Sequence, residues 1–291
     1  MPLALVNGTQ LYYEITGTGT PIVFIHPPLL TSQTFAYQRE RLSDHFQVIT
    51  FDIRGHGASK SSARTFSYAL IVEDIRQLLD YLGIEKVFLC GYSTGGTLVL
   101  EALLTYPKRF LGGIVVSGMS ELTDPYNKGR VWLAVQMAGS GLFMNLLKKS
   151  IAIGNADNAA TYHELYQSSV SDDAKIVKPY FEQSLTYNCT RRLRGIHHPI
   201  LLIYGQKDRA FKRYANILHE ELPHSSLYFI KDAKHQIPLK NPSKMNDLIR
   251  LWADSLDDHQ TQRILLDLAI AKKLNPALYG EDTHETQLPL H

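Results

Sequence analysis

Short, nearly continuous apolar runs recur along the chain, separated by stretches whose apolar positions fall at helical spacing. Leu3 to Val6 and Leu11 to Ile15 flank Asn7-Gly8, a dipeptide suited to the tight turn of a β-hairpin. Pro21 to His26 and Phe46 to Ile53 are apolar almost throughout, the pattern of strands covered on both faces. Lys86 to Cys90, Gly113 to Ser117, Ile200 to Tyr204 and Ser226 to Ile230 complete a series of eight expected strands. A short helix is expected from about Phe35 to Leu42. From Ser67 to Leu82, residues Ile71, Ile75, Leu78, Leu79 and Leu82 form one helical stripe, with Ser67 placed as N-cap. Further helices are expected from Gly96 to Thr105 and from Ser243 to Leu256. Strands alternating with helices predict an α/β fold, a mostly parallel eight-stranded sheet with helices on both faces.

The strand series breaks once. Between Ser120 and His198 the pattern is helical, with candidates at Val131 to Val135, Gly141 to Ile151, Ala159 to Gln167 and Asp173 to Leu185. An insertion there would lie above the carboxyl ends of the strands, where open parallel sheets bind ligands. The expected organisation is a core over residues 1–120 and 198–257, a helical cap over 121–197, and a C-terminal helical extension and tail over 258–291. Ile264, Leu265, Leu268 and Leu274 give the extension an apolar face. That face either docks on its own domain or forms a dimer contact, so monomer and homodimer both stay open.

Composition narrows the partners. With 44% hydrophobic and 20% charged residues over 291, the chain reads as an ordinary globular protein. A net charge of +2 gives no electrostatic case for nucleic acid. No apolar run is long enough to span a bilayer, and Met1 to Gly8 lacks a basic and apolar leader. No membrane span and a cytoplasmic location are therefore expected, with Cys90 and Cys189 as reduced thiols. No Cys or His cluster has metal-ligand spacing, so neither metal nor cofactor is expected.

Leu89-Cys90-Gly91-Tyr92-Ser93-Thr94-Gly95-Gly96 carries the chemistry, because it joins a strand to a helix through Gly-x-Ser-x-Gly. A serine at such a turn sits in a strained backbone that lifts its hydroxyl clear of the sheet. Gly91 and Gly95 suit places where neighbouring chain passes too close for a Cβ. The start of the helix adds unpaired N–H groups and partial positive charge beside the hydroxyl. A serine hydroxyl needs a base, and the base needs an orienting acid. Asp208 follows the strand Ile200 to Tyr204 past Gly205, and His235 follows the strand ending at Ile230. Ser93, Asp208 and His235 thus emerge in that order from one edge of one sheet. Glu121, after the strand ending at Ser117, is the rival acid. Asp232 reads as a turn residue, and His26 and His56 as histidines that hydrogen-bond backbone in their turns.

These motifs, with Asp52-Ile53-Arg54-Gly55-His56-Gly57-Ala58-Ser59, resemble the α/β-hydrolase superfamily over about Leu3 to Leu256. The pattern is similar to that of small capped serine esterases, cofactor-free perhydrolases, lactonases and C–C-bond hydrolases. Haloalkane dehalogenases and epoxide hydrolases use Asp as nucleophile, and Ser93 argues against both. The resemblance implies Ser93 as nucleophile, His235 as base and Asp208 as acid, with Thr94 N–H in the oxyanion hole. One departure stands out. The family's oxyanion loop begins His-Gly, and its second residue after His donates an N–H. Here the loop reads His26-Pro27-Pro28-Leu29, and Pro28 has no N–H. A shifted loop that offers Leu29 N–H is the expected remedy. The expected activity is hydrolysis of a small or medium uncharged ester, thioester or lactone through an acyl-enzyme, with Pro28, Tyr92 and Trp132 as candidate substrate contacts. C–C hydrolysis, lyase or perhydrolase chemistry in the same site stays open, as does a ligand-binding signalling protein with little turnover.

Overall fold

The structure, a computed structural model, describes residues 2–169 and 173–256. Asn7 and Gly8 take positive φ values of 45° and 73° and close the hairpin between β1 (Leu3–Val6) and β2 (Thr9–Thr16). β2 pairs antiparallel with β4 (Phe46–Phe51). The remaining pairings are parallel and join β4, β3 (Thr20–Ile25), β5 (Val87–Tyr92), β6 (Phe110–Val116), β7 (Ile200–Gly205) and β8 (Ser225–Ile230). The sheet is eight-stranded and mostly parallel, as expected, and its strands lie in the order β1-β2-β4-β3-β5-β6-β7-β8. Residues Ile22 to Ile25 and Ile200 to Tyr204 are buried, as their unbroken apolar runs require. β8 is an edge strand and differs, with Tyr228 and Phe229 partly exposed.

The chain steps one way across the sheet from β3 to β4 and the other way from β4 to β5. Right-handed crossovers running in opposite directions send helices to opposite faces and open a crevice past the strand ends. On one face, Gln38 of α1 (Ala36–Leu42) donates to the Pro238 carbonyl and the Asn246 side chain. On the other, α2 (Tyr68–Tyr81) packs against α3 (Thr94–Thr105). Ser67 caps α2 as expected, its hydroxyl accepting from Leu70 N–H at 3.1 Å. Ile71, Ile75, Leu78 and Leu79 are completely buried, each contributing roughly 1.5–3 kcal/mol. Past α3, α8 (Lys212–Glu221) connects β7 to β8.

Among the described residues, four α-helices separate β6 from β7: α4 (Pro125–Ala138), α5 (Gly141–Asn155), α6 (Ala159–Ser169) and α7 (Ala174–Thr186). α4 starts well before its apolar residues because Asp124 caps it, accepting from Asn127 N–H, and Pro125 occupies its first position. Ala134, Val135, Ala138, Met144, Leu147, Val177 and Phe181 from these helices surround Leu29 of the loop after β3. The insertion therefore packs on the carboxyl edge of the sheet.

Residues Met1–Ile249 cluster as one compact unit, which ends in a helix from residue 242 onward. Of the second unit, residues 250–256 are described and are helical. The extension expected over 258–291 lies outside the described residues. No helix of the described residues is long and apolar enough to cross a membrane. Cys90 and Cys189 are buried and unpaired.

Candidate active site

Ser93 joins β5 to α3 with φ 54° and ψ −120°, a backbone that costs on the order of 1–3 kcal/mol. The surroundings enforce it. Ser93 N–H donates to the Val116 carbonyl at 2.8 Å, and Gly96 N–H donates to the Ser93 carbonyl at 2.9 Å. A Cβ on Gly95 would overlap the Ile25 carbonyl oxygen, and one on Gly91 would overlap that of Gly95. α3 can start hard against β3 only with glycine at both.

Two other loops meet this turn. After β7, Gln206 N–H donates to the Ile230 carbonyl and Lys207 N–H to the Ala233 carbonyl, stitching this loop to the one after β8. A Cβ on Gly205 would strike the Ala233 and Lys234 carbonyl oxygens. The result places His235 Nδ1 2.8 Å from Asp208 Oδ2 and His235 Nε2 3.1 Å from Ser93 Oγ. An ionised Asp208 can only accept, so Nδ1 carries the proton and Nε2 is left to accept from the serine hydroxyl. Phe211 and Tyr92 lie against the imidazole, with centroids 4.2 and 5.5 Å away. Nothing in the sequence pattern singled out Phe211. Glu121, the rival acid, instead accepts from Asn188 and Thr190. Asp232 pairs with Lys207 at 2.8 Å.

The loop after β3 is held from below. His26 Nε2 accepts from Ile53 N–H, and its Nδ1 donates to the Pro27 carbonyl, both at 2.9 Å. His56 Nδ1 lies 3.2 Å from the Arg54 carbonyl, so both histidines serve backbone. Burial pushes His26 down to about 4 and His56 to about 3. Asp52 accepts from Ser32 and Ala58 N–H, and Arg54 is buried against Asp74 of α2, with Nε 2.6 Å from Oδ2. Tyr180 of α7 donates to the His26 carbonyl at 3.1 Å, a link that sequence reasoning missed.

Leu30 N–H donates to the Pro27 carbonyl at 3.3 Å, closing a turn with Pro28 second and Leu29 third. Leu29 takes φ 60°, the combination that marks a type II turn. Relative to a type I turn, the peptide between Pro28 and Leu29 is rotated by roughly half a revolution. Leu29 is 1% exposed, yet among the described residues its N–H has no acceptor. A buried N–H without a partner is rare in folded proteins. Thr94 N–H opens α3 and has no acceptor within the helix.

A cavity of about 560 Å³ opens beside Ser93 and Thr94, lined by Pro28, Leu30, Tyr92 and His235 and by apolar residues of α4, α5 and α7; Leu29 is not part of its lining. Tyr92 also donates to Asn155 at the end of α5, at 3.0 Å. Trp132 does not take part: it is 57% exposed and stands outside the lining. Asn127, Val131 and Ala134 face the cavity at i, i+4 and i+7, and each residue turns the helix by about 100°, which carries Trp132 away.

A family model described as alpha/beta hydrolase fold matches residues 20–143. The human protein "Serine hydrolase BPHL" is 25% identical over 250 residues, spanning 84% of this chain and 82% of that protein. The esterase EaEST from Exiguobacterium antarcticum superposes with a TM-score of 0.78 at 21% identity, covering 87% of this chain and 98% of its own. An enol-lactonase from Burkholderia xenovorans LB400 gives 0.76 at 21% identity, with coverages of 87% and 100%. At such identities the structural likeness establishes the fold.

Proposed function

We propose that this member of the α/β-hydrolase superfamily is a serine hydrolase cleaving an ester, thioester or lactone with a small or medium, uncharged acyl part. The observation that carries the reading is the hydrogen-bonded series from Asp208 through His235 to Ser93, opening on an apolar cavity. Helices α4 to α7 act as the cap over that cavity.

His235 Nε2 takes the hydroxyl proton as Ser93 Oγ attacks the carbonyl carbon. The charge that develops on the carbonyl oxygen is met by Thr94 N–H and Leu29 N–H. One such donor is worth ~3 kcal/mol, about a hundredfold in rate, so the turn at Pro28 and Leu29 matters. It supplies a donor one residue beyond the proline that cannot provide one. Asp208 stays ionised and stabilises the imidazolium, which then gives its proton to the leaving atom. Water follows the same route: His235 removes its proton, the hydroxide attacks the acyl-enzyme, and Ser93 recovers a proton as the acid departs.

Hydrolysis of p-nitrophenyl esters from acetate to decanoate, by wild type and Ser93→Ala, tests this reading. Turnover is expected to peak at short or medium chains and to fall about 10⁴-fold or more in the variant. Equal turnover in the variant, or none by a folded wild type, overturns it.

A further inference from the structure

An open surface cavity of about 480 Å³, whose cationic side chains are exposed, adjoins the first and shares Arg130, His235 and Gln236 with it. Lys207, Arg209 and Lys234 complete its cationic lining, and the Arg130 guanidinium lies 5.5 Å from the Tyr126 ring centroid. Asp232 neutralises Lys207. Among the described residues, Arg130, Arg209 and Lys234 have no carboxylate within ion-pair distance. The lining contains one carboxylate, Asp208, and that group is committed to His235. Three unpaired cations around one concavity raise its potential and favour an anion between them.

The position of the cavity says which end of a substrate would enter it. Its wall includes His235 and Asp208 but neither Ser93 nor Thr94 nor Pro28. In acyl transfer the carbonyl oxygen turns toward Thr94, while the leaving atom must come within reach of His235 Nε2 to receive its proton. His235 and Arg130 line both cavities, so a group attached to the leaving atom can extend past His235 into the basic one while the acyl chain occupies the apolar one.

We propose that the preferred substrate carries an anionic group, carboxylate or phosphate, on its leaving side, seated between Arg130, Arg209 and Lys234. The inference rests on the serine-hydrolase reading above and restricts the expectation of an uncharged substrate to the acyl part.

The test compares 3-(butanoyloxy)benzoate and 3-(butanoyloxy)phenyl phosphate with the neutral methyl 3-(butanoyloxy)benzoate, which share the acyl group and the phenolic oxygen. At low salt, kcat/KM for at least one anion is expected to exceed that of the methyl ester about tenfold or more. The preference should shrink as NaCl rises, because salt screens partly exposed charges. The larger ratio identifies carboxylate or phosphate as the fitted anion. The double variant Arg209→Gln/Lys234→Gln should bring the ratio close to one. A wild-type ratio at or below one for both anions, or a ratio that survives the double variant, overturns the proposal. Methyl ester hydrolysis that disappears in Ser93→Ala would leave the serine-hydrolase reading standing in either case. If no ester turns over, calorimetric binding of 3-hydroxybenzoate and 3-hydroxyphenyl phosphate to Ser93→Ala protein decides. Binding weakened by the double substitution supports the anion site, and absent binding overturns it.

Discussion

Asp208 and Glu121 both follow strand ends, and residue type alone could not separate them. Geometry does: Asp208 Oδ2 lies against His235 Nδ1, while Glu121 is occupied by Asn188 and Thr190. His26 and His56 carry a different consequence. Each has an ordinary value of 6.5, and burial lowers His26 to about 4 and His56 to about 3. As pH falls below 6.5 the unfolded chain takes up protons at both positions, and the folded protein does not until about 4. The unfolded state then binds more protons, so stability declines over that window at ~1.4 kcal/mol per pH unit for each histidine. Buried Asp52, raised by desolvation, works in the opposite direction, so the informative quantity is a difference in slope. Thermal melts from pH 7 to pH 4 should show Tm falling, and His26→Gln should decline less steeply than wild type; parallel declines would refute the assignment. The backbone roles of these histidines were readable because each sits in a turn directly past an apolar strand. Trp132 stands outside the cavity lining, and the sequence could not show this because an aromatic in an apolar helix does not reveal which face the helix turns inward.

At the scale of elements, strain gathers where the chemistry is. Leu29 after β3, Ser93 after β5, Ser117 after β6 and Asp232 after β8 all take positive φ, and all lie at the carboxyl edge of the sheet. Each such backbone costs on the order of 1–3 kcal/mol, sustained by the packing around it. The strands themselves were legible, since a strand covered on both faces must be apolar throughout. The turn at Pro28 was not: two prolines announce a stiff loop, but the left-handed Leu29 depends on its side chain packing among Ala134, Met144, Val177 and Phe181, remote in sequence. Gly205 makes the sharpest test of how the loops are joined. Gly205→Ala would push a methyl group into the Ala233 and Lys234 carbonyls, at an overpacking cost of about 1–3 kcal/mol. Urea denaturation should report that loss, and kcat should fall with little change in KM as His235 moves from Asp208. A variant with wild-type stability and kcat would show that the two loops are not tightly coupled.

For the whole molecule, the reversal of strand order at β3 and β5 explains why one edge gathers every group discussed here. The loop after β3 supplies Leu29, the turn after β5 supplies Ser93 and Thr94, and the loops after β7 and β8 supply Asp208 and His235. The inserted helices close over that edge and build most of the apolar cavity. The strands and the positions of Ser93, Asp208 and His235 at their ends could be read from the chain because each residue follows a recognisable strand; the order of the strands could not. The basic cavity could not, because Arg130 comes from the insertion while Arg209 and Lys234 come from the two last loops, and only folding joins them. The central claim is that Ser93 is a nucleophile activated by His235. Intact-mass and peptide analysis after exposure to a fluorophosphonate tests it most directly, since such reagents phosphonylate a serine only when it is activated. The account predicts a single phosphonyl group on Ser93, absent in Ser93→Ala and greatly slowed in His235→Gln. Labelling at another residue, or labelling of Ser93 at an undiminished rate without His235, would contradict it.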